Sequence, residues 1–298
     1  MKSFVGGAMA VFLLAAFAFA ASPSDALKYT LRYKFRQGET LRWQVEHLSM
    51  VRASVTKHTQ ATETTSTSLK AWRVTDVRPD GAATFEHRVE WVDMRQKLSG
   101  RDELHYDSRL KAKPPAGFET AAKSVGVLLT TVTMDPRGKI VTRKRHQTNK
   151  VDPNAAKVPA QDDGWMTIPL PEEAVAIGQS WSIPQQIDIP LETGGVKKIK
   201  AVQRFTLEDV KTGVATIRVS TEVLTPITDP AVESQLVQRE SAGRVRFDID
   251  EGRVLGQQMD IDKHVVGFRG EASSIHYVNR FSERLVNEPA KPGPLPNN

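Results

Sequence analysis

The chain has 298 residues, with 41 Lys and Arg against 35 Asp and Glu, and it contains no cysteine. Without thiols there are no disulfides, no thiolate catalysis and no Cys-based metal sites, so the fold must be held by its core alone. The formal charge of +6 is modest, and its basic clusters, Arg143-Lys144-Arg145 and Lys197-Lys198 with Lys200, lack interleaved aromatics, so no nucleic-acid partner is expected.

Met1 and Lys2 precede an uncharged run over residues 3–21 that closes with Ala18-Phe19-Ala20, the small-x-small pattern of a signal peptidase site. Residues 1–20 therefore read as a signal peptide, which places the mature chain in the periplasm or outside the cell. A retained membrane anchor is the competing reading, since the run is nearly long enough to span a bilayer. After cleavage no transmembrane helix is expected.

The next elements read as hairpins. Tyr29, Leu31, Tyr33 and Phe35 alternate with polar residues, as do Leu41, Trp43 and Val45, which is the period-two pattern of half-buried strands. A three-residue loop at Gln37-Gly38-Glu39 would set Phe35 opposite Leu41, Tyr33 opposite Trp43 and Leu31 opposite Val45. Residues 56–68 are Thr-rich but unbroken, and they read as a long, solvent-facing hairpin arm.

Four further loops end in glycine, where a type I turn followed by a left-handed residue requires it. Pro79-Asp80-Gly81 predicts Val77 opposite Ala83, Thr75 opposite Phe85, Ala71 opposite Val89 and Leu69 opposite Trp91. Pro136-Arg137-Gly138 predicts Met134 opposite Ile140. Lys211-Thr212-Gly213 predicts Leu207 opposite Ile217 and Phe205 opposite Val219; Asp250-Glu251-Gly252 predicts Phe247 opposite Leu255 and Val245 opposite Gln257. Residues 118–129 are the best helix candidate of the first half, and residues 230–241 are ambiguous, with a strand favoured from Val237.

Between the halves lies residues 168–182, a joint in which Pro169 and Pro171 force the chain out of a sheet and Gly178 turns it into a new β run beginning at Trp181. The glycine and Asp-Val spacings around Gly38, Gly81 and Gly138 are answered around Gly178, Gly213 and Gly252, the pattern of an internal repeat. The expected organisation is a first β unit over 27–146, a linker or long loop over 147–168, a second β unit over 169–286 and a disordered tail over 287–298. The fold class is all-β: long antiparallel hairpins in one or two strongly curved sheets, half-barrel or sandwich-like, with two similar tandem units and few short helices.

Tyr106-Asp107-Ser108, Asp135-Pro136-Arg137-Gly138-Lys139, and Leu170-Pro171 followed by Val175, Gly178, Ser180 and Trp181 resemble a family of exported bacterial proteins, a domain of unknown function familiar from planctomycetes. The resemblance runs from about Leu31 to Thr221. It implies export and an all-β fold, and it implies no catalytic residue.

The chemical inventory is poor. Gly178-Gln179-Ser180-Trp181-Ser182 misses the G-x-S-x-G nucleophile elbow at its last position and lacks the strand-turn-helix context. The seven histidines are scattered singly, with no metal-ligand spacing. Glu103, His105 and Asp107 share a strand face, where a solvated surface and a divalent-cation site are the two readings; Asp248, Asp250, Asp260 and Asp262 form the next carboxylate cluster. No cofactor is expected. Aromatic residues are the richer signal: Tyr29, Tyr33, Trp43 and Trp91 fall on inward faces in the predicted register, and Trp72 on the opposite one. They are either ordinary core or the lining of an apolar trough on a curved sheet that cannot fill its concave side. The expected function is a non-enzymatic envelope protein binding lipid or another hydrophobic ligand, with Tyr33, Trp43, His87 and Trp91 as the candidate ligand-binding residues. A protein-interaction or structural module of the envelope, and a hydrolase with an unrecognised site, are the alternatives.

Overall fold

The computed structural model of the protein describes residues 27–110, 112–146, 167–191, 194–240 and 242–286. The expected leader, nearly all of the expected linker and the expected tail lie outside these residues. The strands are β1 (Lys28–Tyr29), β2 (Thr40–Val55), β3 (His58–Val77), β4 (Ala83–Leu98), β5 (Leu104–Asp107), β6 (Thr130–Met134), β7 (Ile140–Arg145), β8 (Val175–Ala176), β9 (Ser180–Pro190), β10 (Val196–Lys211), β11 (Val214–Val223), β12 (Ala242–Asp248), β13 (Arg253–Val266) and β14 (Ser273–Val286). Helix α1 covers Glu119–Ser124 and α2 covers Pro230–Leu236, the latter extended by a 3-10 turn over Val237–Arg239.

All strands but β1 and β8 belong to one antiparallel sheet of order β7-β6-β4-β3-β2-β14-β13-β12-β11-β10-β9, with β5 on the margin of β4. Since β14 pairs with β2, the sheet is a cyclic meander interrupted between β7 and β9. The two expected units are the two halves of one continuous curved sheet. Among the described residues no helix is long and apolar enough to cross a membrane.

Curvature brings the halves face to face at the end where the four glycine loops lie. There Trp43, Trp72, Phe85, Val132 and Met134 of one half meet Phe205, Leu207, Ile217, Val245 and Phe247 of the other in a single buried cluster. Phe85, Phe205 and Phe247 are fully buried, each contributing about 1.5–3 kcal/mol. Gly81, Gly138, Gly213 and Gly252 all take the positive φ expected of them.

The predicted hairpin of residues 29–35 with β2 does not form. Tyr33 N donates to Pro136 O (2.7 Å) and Lys34 N to Gly252 O (2.9 Å), so the segment runs between the β6–β7 loop of one half and the β12–β13 loop of the other. Its alternation reflects a plug rather than a strand, with Leu31 and Tyr33 pointing into the core. Segment 168–171 lies beside it: Leu170 N donates to Arg137 O, and the Tyr33 hydroxyl donates to Ile168 O (3.2 Å) and accepts from Ile168 N (3.0 Å). The passage is close enough that a Cβ on Gly138 would stand 2.5 Å from Ile168 O, and one on Gly252 2.6 Å from Arg32 O. Beyond the plug, β1 and β8 pair with each other, and Trp181 Nε1 donates to Pro169 O (2.8 Å) at the start of β9.

The register agrees with expectation at Met134/Ile140, Leu207/Ile217, Phe205/Val219, Val245/Gln257, Val77/Ala83 and Leu69/Trp91. Between the last two pairs it does not. Thr75 is an extra residue on β3 and Glu90 an extra residue on β4, so Phe85 faces Val74, His87 faces Trp72 rather than Arg73, and Val89 faces Lys70. A further bulge puts Phe247 opposite Val254 instead of Leu255. Helix α1 is shorter than predicted, and the strand favoured from Val237 is helical: Asp229 caps α2 by accepting from Ala231 N (2.9 Å), and β12 begins only at Ala242.

Candidate functional site

Alternation along each strand assigns the faces, and the inner face is the one bearing Trp43. Its deepest layer is closed. Trp72 stacks on Phe85 (centroids 4.3 Å) and tilts against Trp43 (4.7 Å), while Trp43 Nε1 donates to Val254 O (3.1 Å). Trp72, expected on the outer face, is thus central to the core, because the bulge at Thr75 inverts its phase relative to the β3–β4 loop. Tyr33 packs edge-on against Phe247 (5.4 Å), and burial holds its phenol well above the usual tyrosine range.

A polar layer lies directly above. Lys70 Nζ contacts Glu283 Oε2 (2.5 Å), with side chains only 12% and 3% exposed, and Gln257 Nε2 donates to Glu283 Oε1 (2.8 Å). The ammonium also stands over the rings of Trp43 (5.0 Å) and Trp72 (5.2 Å). His87, in register with Trp72 on β3 and Thr130 on β6, is pushed down to about 4 by burial first, then by the charges of Lys70 and Arg143.

Past this layer the inner face ceases to be one core. The 3-10 turn covers Ile261, Val265 and Tyr277, with Val51 and Ile275 at the margin. Helix α2 covers Ile189 and Ile199. On the opposite flank, Val92, Tyr106 and Phe118 form a separate cluster with Met94 and Leu104 at its margin. Between these clusters the floor consists of His47, Ser49, Thr64, Ser66, Gln96 and Asn279, all partly exposed. Their polar groups pair locally: His47 Nε2 with Asn279 Oδ1 (2.5 Å), Gln96 Nε2 to Thr64 Oγ1 (3.4 Å), and Ser49 with the Tyr277 hydroxyl. The arrangement is a trough with a hydrogen-bonded floor and apolar flanks, among them Phe281, Val51 and Met94.

Of the four candidate residues, the structure brings Tyr33, Trp43 and His87 to the base of this inner face, the first two fully inside the core. Trp91 is elsewhere. The bulge at Glu90 turns it to the outer face, where the Arg109 guanidinium covers its ring at 4.4 Å. Arg109 there binds Asp107 (2.6 Å) and Asp93 (3.4 Å), His105 Nε2 meets Asp93 Oδ1 (2.9 Å) and Glu103 pairs with Arg95 (3.4 Å). Arg109 holds the Asp107 carboxyl below its usual range. The carboxylates suspected of binding a cation are thus each engaged by a basic side chain, and no group of three or more metal-ligating residues occurs among the described residues. An open depression of about 420 Å³ crosses the four central strands, lined chiefly by outer-face residues such as Glu46, Thr65, Thr67, Gln258 and Arg280. Ser180 Oγ bonds Thr206 Oγ1 (2.8 Å) on the neighbouring strand and has no histidine partner.

Sequence reasoning missed the trough residues His47, Ser49, Ser66 and Asn279 because small polar residues alternating on a strand look like a solvent face. The signal that could have found them is the absence of charge: over residues 45–53 of β2 and 62–68 of β3 the polar inner positions are Ser, Thr and His, whereas Glu46, Arg52 and Glu63 lie on the other face.

No family model matches the chain, and no curated protein matches it. Among solved structures, one described as lipid-protein interactions in lipovitellin is 12% identical with a TM-score of 0.48, over 89% of this chain and 27% of that one. DynF from the dynemicin biosynthesis pathway of Micromonospora chersina is 7% identical with a TM-score of 0.22, over 88% of this chain and 86% of that one. This chain is therefore similar to, and spans only about a quarter of, the lipovitellin chain, and neither likeness assigns it a family.

Proposed function

We propose that the protein is an exported, non-enzymatic envelope protein that holds a lipid or another hydrophobic ligand in the trough on the inner face of its curved sheet. That face is divided into one closed core and three separate apolar clusters. Satellite clusters are ordinary where a loop or helix covers a sheet, as α2, the 3-10 turn and Phe118 do here; what supports the reading is the partly exposed strip of inner face left between them. Here the apolar margins of the clusters face a common gap, and an aliphatic chain lying between them would remove that surface from water at about 25 cal/mol per Å². The floor polar groups already bond one another, so covering them with an apolar chain leaves few unsatisfied. Export rests on the residue pattern of 1–20.

Extraction of the protein purified from its native envelope, followed by mass spectrometry, should release lipid. The delipidated protein should take up parinaric acid, and Ser66→Trp, which fills the floor, should block uptake while leaving the circular dichroism spectrum unchanged. Delipidated wild type that takes up no parinaric acid refutes the reading.

A further inference from the structure

Three buried polar atoms along one cross-strand row of the inner face lack a partner among the described residues. Trp72 on β3 pairs in register with His87 on β4, and His87 pairs with Thr130 on β6. Trp72 Nε1, His87 Nε2 and Thr130 Oγ1 are all enclosed and make no hydrogen bond to the described residues, Trp72 being 3% and Thr130 7% exposed. Scattered orphans occur a few times in a folded protein of this size, but three in adjacent register point to a common partner. The chemistry of that partner is constrained. The indole N–H can only donate, whereas the hydroxyl and the imidazole can donate or accept, so the partner common to all three is an acceptor.

Two basic side chains act on the row. Lys70 stands over the Trp72 ring at 5.2 Å, and the Lys70 and Arg143 charges both act on His87, holding it in the neutral form. Glu283 is already engaged by Lys70 and Gln257. The row shares its strand face with the trough: past Trp72 on β3 come Lys70, Ser68 and Ser66, and six residues of strand separate Trp72 from Ser66, about 20 Å. That distance suits an aliphatic chain of a dozen or more carbons.

We propose that Trp72, His87 and Thr130 form the site for the carboxylate head of a fatty-acid-like amphiphile, whose chain runs from this row into the trough. The assignment rests on the trough reading and deepens it. The indole and hydroxyl donate to the carboxylate oxygens, neutral His87 donates through Nε2, and Lys70 and Arg143 supply the field that favours an anion over a neutral head.

The test compares dodecanoate with dodecanol, which share a chain and differ in the head, by calorimetric titration of delipidated protein. Dodecanoate should bind at least roughly tenfold more tightly, and Trp72→Phe and Thr130→Val should each lose about that factor for dodecanoate while binding dodecanol as wild type does. Both variants preserve shape, and their thermal transitions report whether either has failed to fold. Equal affinity for the two ligands overturns the head site and leaves the trough standing. A dodecanoate preference that survives in both variants places the head elsewhere and also overturns it. Binding of neither ligand removes the head site and the trough together.

Discussion

Replacing Lys70 by methionine should destabilise the fold more than any other single change to a charged side chain among the described residues. The substitution keeps the length and apolar stem of the side chain and removes only the ammonium. Glu283, 3% exposed, would then keep its carboxylate among Trp43, Trp72 and Gln257 with a single amide donor at 2.8 Å. Removing one member of a buried pair costs about 3–5 kcal/mol, and the contacts of the ammonium with two indole rings fall within the same loss. Removing both charges is different. Lys70→Met combined with Glu283→Leu eliminates the unpaired carboxylate and should recover most of the stability, giving a coupling energy of about 2 kcal/mol or more in the double-mutant cycle. Urea unfolding followed by both tryptophan fluorescence and circular dichroism measures the cycle, and coincidence of the two probes licenses a two-state analysis. If Lys70→Met unfolds within about 1 kcal/mol of wild type, or if the double variant is no better than the single, the pair does not have the buried character assigned to it.

Three other outcomes are expected. Gly38 and Gly138 share nearly the same backbone, φ of +84° and +85°, but only Gly138 is packed, so Gly38→Ala should cost about 1–2 kcal/mol and Gly138→Ala distinctly more, because its Cβ meets Ile168 O and Tyr33; equal denaturation midpoints would contradict the plug. His87 is pushed down from 6.5 to about 4, so between those values the unfolded chain binds the extra proton; the stability it contributes is complete above about pH 6.5, is lost on the order of 3 kcal/mol as pH falls through about 4, and is absent in His87→Gln. A wild-type urea midpoint that stays level across that window, or one that falls equally in the variant, contradicts the assignment. Thr75 is left out of the ladder, so its deletion permits every β3–β4 pair to survive, whereas deletion of the paired Thr67 forces a register or phase change in the arm; the Thr75 deletion should therefore melt above the Thr67 deletion.

The all-β class, the glycine loops and most registers were legible because period-two patterning and left-handed turn positions are local properties. What was not legible was the path of residues 30–36. Their alternation is as regular as that of β2, but the backbone partners are Pro136 and Gly252, more than a hundred residues away, and alternation does not distinguish a strand from an extended plug between two loops. Residues 230–239 went the other way, with the Asp229 cap and Pro230 deciding for a helix against the alternating Leu236, Gln238 and Glu240.

The candidate site turned on two single residues. Inward positions on β3 run Trp72, Val74 and then Val77, and on β4 they run Phe85, His87, Val89 and then Val92 and Met94; in each strand one step of three breaks a series of twos. A step of three on a strand is the mark of a bulge, which returns the next large side chain to the same face. Read as unbroken alternation, the same residues put Trp91 inside and Trp72 outside, the reverse of their places. The two bulges lie on opposite strands and cancel, so the hairpin leaves the loop and reaches the arm in the same register. Between them they turn Trp72 and Lys70 inward beside His87, and beyond them they turn Trp91 out to Arg109. Without the pair of bulges Trp72 and Lys70 would lie on the outer surface, and the base of the trough would lose both its indole N–H and its ammonium. Their compensation therefore ties the register of the β3–β4 hairpin to the chemistry of the site.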